Sequence, residues 1–83
     1  MDFTKLKEIL GKELEGLNVI VHNIEYINED QYNFLRITLD KINGIDLESI
    51  VEATRIIDPI IEDQNLIEDS YILDVVSRQR GED

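Results

Sequence analysis

The apolar residues of this chain keep two different periods, and the places where one gives way to the other decide what it can fold into. From Asp2 to about Gly16 they recur every three to four positions, at Phe3, Leu6, Ile9, Leu10, Leu14 and Leu17. That spacing predicts the buried stripe of an amphipathic helix, with Lys5, Lys7, Glu8, Lys12 and Glu13 toward water. Asp2 suits its N-cap and Gly16 its C-cap, while Gly11 inside the pattern costs about 1 kcal/mol against Ala. From Val19 to Ile27 the residues are β-branched and aromatic with no helical stripe, which predicts a strand. The polar run Asn28-Glu29-Asp30-Gln31 then interrupts as a hairpin turn does. Tyr32 to Lys41 alternates cleanly, with Leu35, Ile37 and Leu39 on one face and Phe34, Arg36, Thr38 and Asp40 on the other. Alternation of this kind predicts a second strand with one buried face.

Helical spacing returns after Asn43-Gly44, a turn signal, with Asp46 as N-cap. Leu47, Ile50, Val51, Thr54, Ile57 and Ile61 form the stripe. Pro59 removes a backbone donor inside it, yet the stripe keeps its phase, so one kinked helix from about 46 to 62 is preferred over two short ones. Residues 62–70 read as an acidic connection. Tyr71 to Ser77 reads as a last strand with Tyr71, Leu73 and Val75 facing one way, and 78–83 as a polar, mobile tail.

The order α-β-β-α-β predicts an α+β fold, a two-layer sandwich with two helices packed on one face of a three-stranded sheet. Residues 1–77 would form the domain. The first strand has apolar residues at both parities (Val19, Val21 and Ile27; Ile20, Ile24 and Tyr26), which suggests a central position. The open face would then present Glu25, Phe34, Arg36, Ile72, Asp74 and Val76.

Charge and composition narrow the function. The 83 residues hold nineteen Asp+Glu against eight Lys+Arg, a net charge of −11. That balance repels phosphate backbones, so direct nucleic-acid binding is expected to be weak or absent, and a basic partner is the better electrostatic match. Cysteine is absent, which excludes disulfides, thiolate catalysis and cysteine-bound zinc. No stretch approaches the ~20 apolar residues of a membrane span, and the chain reads as cytoplasmic, a monomer or weak dimer.

Catalytic machinery is not visible. His22, the one histidine, has no nucleophile motif near it and reads as a partly buried strand residue on the helix-facing side. A metal site needs more ligands than one histidine and scattered carboxylates. Neither 28–31 nor 58–69 has the oxygen-ligand spacing and glycine of a calcium loop, and the glycines are too dispersed for a phosphate-cradling loop. No catalytic, metal or cofactor-binding residue is assigned, and no cofactor is expected. A cross-strand ion pair with Glu25 or Asp74 accounts for Arg36. The open face, apolar residues interleaved with Glu25, Arg36 and Asp74, has the anatomy of a docking surface, and these three are the candidate partner-binding residues. Simple strand propensity on a water-facing sheet would give the same pattern.

Three runs stand in order along the chain: Leu35-Arg36-Ile37-Thr38-Leu39-Asp40-Lys41, then Gly44-Ile45-Asp46-Leu47-Glu48, and Tyr71-Ile72-Leu73-Asp74-Val75-Val76-Ser77. Together they resemble the ribosome maturation factor family RimP, specifically its N-terminal domain. Upstream, Glu15-Gly16-Leu17 and Ile24-Glu25-Tyr26 look like the family's first helix end and first strand. The likeness spans residues 6–77 in the same element order. Where the family strand continues into Ser-Pro-Gly, this chain has Arg78-Gln79-Arg80, and the family's second domain, a small β-barrel, has no counterpart in the sequence. The resemblance implies a non-catalytic ribosome biogenesis factor without cofactor or metal. Such a factor docks on the free small ribosomal subunit near the decoding centre, where a very basic ribosomal protein is incorporated. An RNA-binding α/β module and a self-associating structural domain are the alternatives.

Overall fold

The computed structural model describes residues 2–78. Helix α1 (Thr4–Glu13) leads through a 3₁₀ turn (Glu15–Leu17) to strands β1 (Ile20–Glu29) and β2 (Tyr32–Asp40); helix α2 (Leu47–Gln64) and strand β3 (Ile72–Ser77) follow. The order is the expected α-β-β-α-β, and both helices lie on one side of the sheet. The shortest dimension, 21 Å, matches one layer of helix on one layer of sheet.

Strand order departs from expectation. The sheet runs β1-β2-β3, so β2 is central and β1 is an edge. β1 and β2 form an antiparallel hairpin, and β3 lies parallel to β2, a pairing that requires a long crossover, supplied by α2. The misleading signal was apolar character at both parities of β1, and a β-bulge explains it. The register advances from Val21 opposite Leu39 to Asn23 opposite Thr38, which leaves His22 as an extra residue. One extra residue shifts the alternation. Val19 and Val21 before the bulge, and Ile24 and Tyr26 after it, therefore all serve the helix-covered face. His22 is exposed rather than partly buried.

The core gathers Leu6, Leu10 and Leu14 from the first segment, Leu35, Ile37 and Leu39 from β2, and Ala53, Ile57 and Ile61 from α2. Several members of the expected stripes fall outside it, among them Leu47 and Val51, both exposed, and Ile9, only half-buried. Ile67, placed by the sequence in an acidic connection, is buried and pins that connection to the core.

Caps follow local chemistry. Asp2 Oδ1 accepts from the Thr4 backbone N–H at 2.9 Å and from its hydroxyl at 2.6 Å, although Phe3 holds the N-cap backbone position. The first helical segment is not ended by Gly16. It tightens into the 3₁₀ turn and stops at Asn18, which adopts φ 58°, a left-handed conformation that asparagine tolerates. Asp46 caps α2 by accepting from Ser49 N–H at 2.8 Å, and Asn65 ends it at φ 47°. α2 stays one helix through Pro59 and runs two residues past its expected end. Pro59 and Arg55 are both exposed, so the Arg55 carbonyl deprived of its partner can turn to solvent. The hairpin closes on Asp30 and Gln31, both at positive φ, the backbone of a two-residue turn matched to strand twist. The expected mobile tail lies outside the described residues except for Arg78, whose N–H continues the ladder to the Leu39 carbonyl at 2.8 Å.

Candidate functional site

Because β2 is central, Phe34, Arg36 and Thr38 on its open face each have a cross-strand neighbour on each side. The register builds three rows there. Phe34 lies between Ile27 and Ile72, Arg36 between Glu25 and Asp74, and Thr38 between Asn23 and Val76. The middle row unites the three candidate residues. Arg36 Nε donates to Asp74 Oδ2 at 2.8 Å, and its terminal nitrogen approaches Glu29 Oε1 at 3.8 Å. Glu25, directly opposite, contributes its charge. The guanidinium is held above its ordinary pKa chiefly by the hydrogen bond it donates to Asp74, with smaller help from the charges of Asp74, Glu29 and Glu25 against some desolvation.

Arg36 and Asp74 side chains are 30% and 31% exposed, so the pair is reachable from solvent. One cation serves three carboxylates, which leaves the row with surplus negative charge. The apolar row beside it is also accessible: Ile72 is 46% exposed and Phe34 half-buried. The face thus offers apolar contact and negative potential together, a combination suited to a cationic protein surface.

Glu29 was missed by sequence reasoning, which placed it in the turn. The signal that could have found it is the two-residue turn, which extends β1 to Glu29 and brings it opposite Tyr32. Ile27 was missed for another reason, the bulge that moves it to the open face.

Other groups are structural. Asp40, 5% exposed, is the one buried charged residue of the core region. It accepts from the Lys41 N–H at 2.8 Å and pairs with the Arg78 guanidinium at 3.5 Å, tying the end of β2 to the residue after β3. A small apolar cavity of about 170 Å³ between the helix ends is lined by Phe3, Leu6, Leu35, Ile61 and Tyr71. The Tyr71 phenol is pushed up by burial and then by the charges of Asp58 and Glu62. Among the described residues no group of three or more His, Asp or Glu side chains is placed to hold a metal ion. No helix among them is long and apolar enough to cross a membrane.

Taken together, these features define a two-layer α+β domain with a mixed three-stranded sheet, one face closed by helices and the other open and acidic. Residues 9–78 match the RimP N-terminal domain, a span that contains Glu25, Arg36 and Asp74. The chain belongs to that family, one of ribosome maturation factors.

Proposed function

We propose that this chain is a non-catalytic ribosome biogenesis factor of the cytoplasm. It docks on the free small ribosomal subunit through a basic ribosomal protein near the decoding centre and aids maturation of the subunit. Residues 1–77 are the acting unit, and Glu25, Arg36 and Asp74 are the contact residues. The observation that carries this reading is the middle row of the open sheet face, where Glu25 and Asp74 flank one partly exposed guanidinium that a third carboxylate, Glu29, also approaches, in a chain of net charge −11. Family membership supplies the ribosomal setting. The charge of the face supplies the preference for a basic protein over RNA, because an acidic surface repels phosphates and steers cations.

Co-sedimentation with purified small subunits tests it. The chain should pellet with free small subunits and not with assembled ribosomes. The double reversal Glu25→Lys with Asp74→Lys should abolish most of the pelleting while the circular dichroism spectrum is kept. Full pelleting of the double variant would remove the face from the mechanism, and no pelleting of the unaltered chain would remove the docking role.

A further inference from the structure

On this acidic chain, three of the four lysines lie within about two turns of helix. Lys5, Lys7 and Lys12 all line a groove between α1 and the start of β1, together with Ile9, Gly11 and Ile20, and they outnumber the two carboxylates of the lining, Glu8 and Glu15. Among the described residues none of the three has an ion-pair partner. The groove borders the outer edge of β1, which pairs with β2 alone. Its apolar lining is accessible: Ile20 is 50% exposed, and Ile9, expected in the core, is only half-buried.

Gly11 is a separate observation. It sits inside α1, where glycine destabilises relative to alanine. Its φ is not positive, and a Cβ built on it would meet nothing within 4 Å. Nothing in the fold of this chain requires a glycine there, and the missing side chain leaves room on the groove wall for a second backbone.

We propose that this groove docks an extended acidic segment of a partner protein, added as a strand along the free edge of β1. The edge supplies backbone donors and acceptors; on the open side Ile20 takes the apolar side chains, and on the α1 side the lysines take the carboxylates that alternate with them. The site stands apart from the Glu25–Arg36–Asp74 row and does not rest on the ribosomal reading. The competing role for lysines beside a sheet edge is to keep other strands away, and the two roles predict opposite results.

The probe is a fluorescein-labelled ten-residue peptide alternating Glu and Val, followed by anisotropy at about 0.15 M salt. There the screening length is about 8 Å, so the groove's own three lysines and two glutamates, rather than the rest of the acidic chain, set the potential. Saturable binding is expected, with none for the Lys–Val counterpart. Lys5→Glu with Lys12→Glu should weaken it at least about tenfold, as charge-pair loss at a docking surface does. Gly11→Leu should also weaken it, whereas Gly11→Ala should raise the Tm. Arg55→Glu, on α2 and outside the groove lining, is the control and should leave binding unchanged. The proposal is overturned by absence of saturable Glu–Val binding, by equal binding of the Lys–Val peptide, or by retained binding in the lysine variants. It is equally overturned if the chain self-associates and the same variants abolish that, which would give the groove to a second copy.

Discussion

Along β2, Leu35, Ile37 and Leu39 alternate with Phe34, Arg36 and Thr38, so two sets of side chains share one backbone and one register yet meet different surroundings. The first set is closed under α1 and α2, with Ile37 fully buried. The second set is half-buried against neighbouring strands only. The covered face gains from removing apolar area from water, at roughly 25 cal/mol per Å². The open face instead holds an ion-pair row whose side chains remain about a third exposed, where such pairs add little to stability. Stability and recognition are thus separated by the two-residue period of a strand, and single substitutions should separate them too.

The largest effect belongs to the covered face. Ile37→Ala removes a fully buried side chain at the centre of the sheet and should cost about 2–5 kcal/mol, the usual range for emptying such a site. Urea denaturation measures it. In a domain of this size that is a large share of the total, so the variant should be partly unfolded at 37 °C. A loss below about 1 kcal/mol would mean that the two faces are less distinct than their exposures imply.

The bulge in β1 is the device that keeps the faces separate, and it depends on residue count rather than residue identity. Deleting His22 would remove the extra residue and leave Val19, Val21, Ile24 and Tyr26 in regular alternation on the covered face, so the deletion should cost no more than about 1 kcal/mol. An alanine inserted between Ile24 and Glu25 has no bulge to absorb it and would turn Ile24 or Tyr26 out of the core, at roughly 1.5–3 kcal/mol for one such side chain. His22→Ala, which keeps the count, should stay within about 0.5 kcal/mol, as exposed substitutions do. A deletion as costly as the insertion would show that the fold needs the bulge itself.

This also explains what could be read in the sequence and what could not. The alternation of 32–41 is unbroken, so the buried and open faces of β2 were legible, and with them Arg36. Glu25 and Asp74 followed because their own strands carry them to the same side. The sequence around His22 has no glycine or proline to mark a bulge, so β1 seemed apolar on both faces and was placed centrally. Glu29 and Ile27 were lost to the same strand. Asp46 and its partner Ser49 were legible because capping is a local matter of three residues. The end of α1 was not, because Asn18 takes the left-handed position that Gly16 was expected to hold.

Capping gives the next effect in size. Asp46→Ala should lower the Tm by roughly 4–8 °C. The carboxylate is held below its usual pKa by the Ser49 backbone N–H and then the Ser49 side chain, with a smaller contribution from Lys41. Its stabilisation is therefore present above the unfolded-state pKa, about 3.9, and lost as pH falls through the lower folded-state value. The Tm gap between variant and parent should stay constant from pH 7 to about pH 5 and narrow below pH 4. A gap independent of pH would show that the helix gains nothing from the ionised side chain.

The smallest effect on stability is expected at Arg36, and it is the sharpest test of the comparison. Arg36→Gln removes the cation shared by Glu25, Glu29 and Asp74 but leaves a partly exposed side chain of similar length and polarity. Solvent and salt already screen the pair with Asp74, so the Tm should move by no more than about 3 °C in 0.15 M salt, in line with the modest worth of exposed pairs. The small loss should grow as salt is lowered, because Glu25, Glu29 and Asp74 would then repel one another without the guanidinium between them. The same substitution makes the open face more negative. If the face meets a cationic protein surface through its net charge, small-subunit pelleting should be kept or strengthened; if Arg36 serves by holding the Asp74 carboxylate in place through its 2.8 Å hydrogen bond, pelleting should fall. A Tm loss as large as that of Ile37→Ala would contradict both readings, since it would make the open face part of what holds the fold together.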